Sequence, residues 1–188
     1  MRNFKQLIAL LSVVTMLAGC SKSVDSKAVD FLKERTGEHF IVVNDDKDVG
    51  IVELSSPNLD QNVFVHVSGD DQLTNYYGVL FSREYEAKVT AILNEFFGTY
   101  TVTSATYSNY FDDCSTTYTL EDYMRLATEA AHVTISVDSG LRTSWDTLAL
   151  DVALPFIRDK VSINLTVNVS DGQTIKLKVD GDTGVITW

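Results

Sequence analysis

Three histidines, two cysteines and a set of aspartate-rich turns carry the reactive chemistry open to this 188-residue chain. Zinc asks for His and Cys ligands at short spacing, as in HExxH or CxxC. His39, His66 and His132 have no such neighbours, so each reads as structural. Aspartates gather at 45, 46 and 48, at 70 and 71, at 112 and 113, and at 180 and 182. An EF-hand loop needs ligands at its positions 1, 3 and 5, Gly at 6 and Glu at 12. Counting from Asp45 puts Gly50 in place but Lys47 and Val49 at ligand positions, and counting from Asp180 runs past the last residue. Turn chemistry, in which Asp and Gly accept unusual backbone angles, is the simpler reading; a looser calcium site is the alternative. No metal site and no cofactor is expected.

Nucleophiles fare no better. A reactive thiolate needs a neighbouring base or a helix N-terminus to lower its pKa. Cys114, in FDDCSTTYT, has no histidine near it in sequence and reads as a small, partly buried residue. The GxSxG elbow, the P-loop and GxGxxG are all absent. Paired carboxylates for glycoside hydrolysis are set by space rather than spacing, and with 26 acids some pair always fits. Tyrosines offer more. Tyr76 and Tyr77 in TNYYGVLFS sit beside an expected loop, and Tyr107, Tyr110 and Tyr118 follow in a Tyr-rich stretch. Exposed tyrosines make good contact residues, with large area and low entropy cost. These five form the expected binding surface; packing on alternate faces of a sheet is the competing reading.

Elements must position these groups. The periodicity predicts a helix over 24–36, with Val24, Ala28, Phe31 and Leu32 on one face and Gly37 as its stop. Strands follow at 39–44, 50–54 and 62–68. A second helix is expected over 82–98, capped by Ser82, with Tyr85, Val89, Ile92, Leu93 and Phe96 as its apolar stripe and Gly98 at its end. A strand over 99–108, a helix from Thr119 to about Ala131 and a strand over 132–137 come next. A last helix opens near Ser144, with Leu148 and Val152 central to its apolar side and Pro155 expected to kink or restart it. Val161, Ile163, Leu165, Val167 and Val169 alternate, then Ile175, Leu177 and Val179, with Lys176 and Lys178 on the opposite face. These patterns predict an α+β fold: an antiparallel sheet, including a C-terminal three-stranded meander, packed against amphipathic helices. Residues 24–68 read helix and three strands too, a weak echo of that C-terminal unit.

The N-terminus supplies an address. MRNFK carries Arg2 and Lys5 and no acid; an apolar run follows at 7–17, and Leu17-Ala18-Gly19-Cys20 closes it. A transmembrane helix needs about 20 apolar residues, so this run fits an export signal instead. The whole pattern resembles the signal and lipobox of bacterial lipoproteins. The resemblance covers the first 20 residues only, and implies a diacylglycerol on the Cys20 thiol and cleavage just before it. Residues 1–19 are then a signal peptide, 20–27 a lipidated cysteine and short tether, and 28–188 one α+β domain.

That cleavage removes two cations and takes the net charge from −11 to −13. Such a surface suits neither nucleic acid nor anionic lipid and favours cationic partners or ions. The expected partners are a membrane, reached through the lipid anchor, and a protein or cell-wall component, with the domain outside the cytoplasm on the cell membrane or outer membrane. Ser21 stands where, in the resembled family, Asp signals inner-membrane retention. A binding or interaction module is the expected function, since the short catalytic motifs are missing; an envelope hydrolase using dispersed Asp/Glu is the alternative. A two-lobed solute receptor does not fit the length.

Overall fold

A computed structural model describes residues 22–138 and 145–188. Cys20, Ser144 and the side chains of Trp145 and Leu148 lie outside that description. Four helices and two sheets, one antiparallel and one mixed, make an α+β fold among the described residues.

Helix α1 (Val24–Thr36) buries Ala28, Phe31 and Leu32, and Gly37 caps it in the left-handed region, its N–H donating to Lys33 O at 2.9 Å. Then comes an antiparallel sheet in simple order: β1 (Ile41–Asp46), β2 (Ile51–Ser55), β3 (Val63–Ser68) and β4 (Asp71–Thr74). Val52, Leu54, Val63 and Val65 point inward beneath α1 and are fully buried. Strand β4 was not predicted; four residues with one buried side chain give little periodicity.

Helix α2 (Tyr76–Phe96) begins six residues before the predicted start. Ser82 is not its cap: it is buried, and its hydroxyl donates to Val79 O at 3.0 Å. The early start follows from burial of Tyr76, Tyr77 and Val79 and from Gly78. A Cβ at position 78 would lie 2.6 Å from Ser108 Cα and 2.7 Å from the Tyr123 hydroxyl. Glycine thus lets the helix run hard against the chain beyond strand β5 (Tyr100–Thr106). The predicted stripe of Tyr85, Val89, Ile92 and Leu93 is buried.

Helix α3 (Leu120–Leu126) opens as predicted at Thr119, whose side chain accepts from the Asp122 N–H at 3.1 Å. It stops five residues earlier than predicted. Ala127 leaves the helical region at φ −82°, ψ 70°, and Thr128 and Ala130 N–H close tight turns onto Leu126 O and Ala127 O before β6 (His132–Val137), where Ala131 O accepts from Asn164 N–H at 2.8 Å.

Helix α4 (Trp145–Arg158) runs through Pro155 rather than restarting there. It ends in a Schellman motif: Val161 N–H donates to Phe156 O at 2.8 Å and Lys160 N–H to Ile157 O at 3.1 Å. Lys160 takes the left-handed position, φ 54°. Strands β7 (Ile163–Val169), β8 (Thr174–Val179) and β9 (Ile186–Thr187) follow. They do not form a sheet of their own. The order is β5-β6-β7-β8-β9, with β6 parallel to β7 and the other pairs antiparallel. Helix α4 is the crossover that this parallel pair requires.

Buried residues from both sheets and all four helices join in one cluster. Ser162 stands at its centre, fully buried. Its hydroxyl donates to Arg125 O and accepts from Gly181 N–H; its N–H donates to Met124 O, and its carbonyl accepts from the Tyr85 hydroxyl. Helices α2 and α3 are pinned to the start of β7 through this one residue.

Candidate binding surface

The five tyrosines fall on the core side of the fold. Tyr76, Tyr77 and Tyr107 are buried; Tyr110 and Tyr118 are half-buried against the core. Tyr77 stacks on Phe81 and meets Tyr118 edge-on, ring centroids 5.0 Å apart; Tyr110 and Tyr118 both lean on Tyr123. Tyr76 donates to Glu38 Oε1 at 2.7 Å, and Ser56 donates to the other oxygen at 3.0 Å. Burial pushes the Tyr107 and Tyr118 hydroxyls up to about 12. An exposed aromatic platform built from these five residues is therefore corrected: they form an aromatic seam between α2 and the chain around α3. Two of them, Tyr76 and Tyr77, look like contact residues in sequence because TNYYGVLFS contains Gly78 and reads as a loop.

Cys114 is buried, with φ 49°, and its thiol is pushed up by burial and by Asp112 beside it. That is the opposite of nucleophile activation. The acidic turns are mostly Asx-type caps. Asp46, Asp112, Asp113, Asp171 and Asp180 each accept a backbone N–H two residues on, at 2.8–3.2 Å. Among the described residues no three His, Cys, Asp or Glu side chains converge on a metal position.

A cavity of about 970 Å³ opens between α2, α3 and the end of α4. Two of its four carboxylates, Asp122 and Asp159, are held down by their neighbours. Arg158 and Lys88 draw Asp159 down to about 2, and Thr119 and Arg125 lower Asp122. Lys88 and Arg158 meet Asp159 at 2.7 Å each.

The outward face of the five-stranded sheet is different. Cross-strand register sets its side chains in three rows. One row reads Thr106, His132, Asn164, Lys178, Thr187; the next Ser104, Thr134, Thr166, Lys176; the third Thr101, Ser136, Asn168, Thr174. Every position is a hydroxyl, an amide, an amine or an imidazole. None is apolar and none is Asp or Glu, in a chain with 26 acids. Trp188, 63% exposed, stands at the edge between two shallow depressions of about 420 and 400 Å³, and Lys176 lines both. Glu129 touches one end, pairing with Lys178 and lying 3.7 Å from His132. Sequence alternation places Lys176 and Lys178 opposite the core, but the face stays hidden until β6 is known to pair with β7.

No helix among the described residues is long and apolar enough to cross a membrane. Comparison with known protein families, curated proteins and solved structures found no match.

Proposed function

We propose that this chain is a lipid-anchored lipoprotein of a bacterial envelope. A diacylglycerol on Cys20 holds residues 28–188 outside the cytoplasm as one binding domain. The outward face of the five-stranded sheet, to which the C-terminal meander contributes three strands, supplies the recognition face. The observation that carries binding is the three-row polar face with Trp188 at its edge. Binding surfaces place polar groups for orientation beside an aromatic contact. The anchor rests on the basic start, the short apolar run and Leu17-Ala18-Gly19-Cys20 together. Two acyl chains suffice for stable attachment, since each buried CH₂ contributes about 0.8 kcal/mol.

Two measurements test this reading. Metabolic labelling with a fatty-acid analogue should mark the wild-type protein and not Cys20→Ser. A photo-crosslinking residue at Thr166, mid-face, should capture envelope material in intact cells, whereas one at Leu73 on the other sheet should not. Persistent label on Cys20→Ser removes the anchor. A blank result at 166 removes the binding face.

A further inference from the structure

Resting on the reading of the outward β5–β9 face as the binding surface, we infer that its ligand is an anionic polysaccharide strand. Three features of the face select it. The first is charge. The chain carries −11 overall, yet this face has no Asp or Glu at a strand position and holds Lys176 and Lys178. Glu129 occupies Lys178 and His132 at one end. Lys176, exposed beside Trp188, has no carboxylate partner among the described residues and is the cation left for a ligand. An anionic polymer is repelled by most of this surface and accepted here.

The second is the kind of polar group. Threonine and serine hydroxyls donate and accept, and asparagine does both through separate atoms. Rows of such groups, about 4.8 Å apart between strands, match a polymer dense in hydroxyls along its length. The third is Trp188. An exposed indole offers an apolar plane with a polar edge, the surface on which the C–H face of a pyranose packs.

The same features turn other macromolecules away. A protein partner needs a desolvated apolar centre, and no outward strand position here is apolar. Nucleic acid needs many cationic contacts, and the face offers few.

The test uses the full lipidated chain in detergent micelles and affinity electrophoresis through alginate, a polyuronate. Neutral dextran, poly-glutamate and oligo-dT serve as comparison polymers. Alginate should retard the protein at least tenfold more strongly than any of the three. Trp188→Ala and Lys176→Gln should each weaken retardation about tenfold without changing the circular dichroism spectrum, and Leu73→Ser should leave it unchanged. Equal retardation by poly-glutamate or oligo-dT, or indifference to Trp188→Ala, overturns the inference. So does a Thr166 photo-adduct that proves to be protein, although that result leaves the binding face standing. No adduct at 166 would instead remove the face itself.

Discussion

The outward residues of the four-stranded sheet include Ile41, Ile51, Phe64 and Leu73, interleaved with Asp46, Glu53 and Asp71. The corresponding positions of the five-stranded sheet hold neither an aliphatic nor an acid. The central strands of both sheets bury every second residue under helices, so their inner faces are built alike. The outer faces then differ for reasons other than folding. Leu73 is 41% exposed and Phe64 37%, values that contribute little to stability. The lesson is that core alternation fixes only half of a strand's residues. The other half is free to vary, and its composition points toward use.

Five substitutions sharpen or break this comparison. The largest effects should come from Leu54→Ala in the first sheet and Leu165→Ala in the second. Each should cost about 2–5 kcal/mol, as for fully buried leucines. If the two sheets share one core, urea melts will show a single transition that moves for both variants. Two transitions, each moved by one variant, would divide the molecule. Ser162→Ala comes next. It strands the Arg125 carbonyl and the Gly181 N–H inside the core and should cost about 1–3 kcal/mol in the same melts. Lys160→Gly should raise stability by up to about 1 kcal/mol, because the left-handed C′ position of α4 costs a lysine roughly 1–2 kcal/mol and the greater freedom of glycine in the unfolded chain offsets only part of that. A loss of stability there would mean that the lysine stem packs on the cavity between α2 and α3. Lys176→Ala should be the smallest, within about 0.5 kcal/mol, since the side chain is exposed on the polar face. A larger cost would recast that face as structural.

Much of this architecture is legible in the sequence where one apolar period governs a whole element. Helix α1 coincides with its prediction because Ala28, Phe31, Leu32 and Gly37 all speak for the same span. Strand β6 and the alternation through Val161–Val179 are read for the same reason. The misses share another cause: a distant residue decides a local outcome. The first turns of α2 depend on Ser108 lying against Gly78. The tyrosines mislead in the same way. Their burial depends on an aromatic seam closed by Tyr123, which no local pattern announces. Ser162 sits where alternation calls for an outward polar residue, yet it is fully buried. The candidate surface needed the β6–β7 pairing before its rows existed at all.

That parallel pairing has a consequence for the order of assembly. In the first sheet every strand pairs with its neighbour in sequence, so each ladder closes over a short stretch of chain. In the second, β6 ends at Val137 and must wait for β7 to begin at Ile163, on the far side of α4. Non-local pairings of this kind form late, because the intervening chain must be ordered before they yield any hydrogen bonds. A chain delivered N-terminus first, from a ribosome or through an export channel, would present the first sheet's whole ladder while the second still lacked its middle strand.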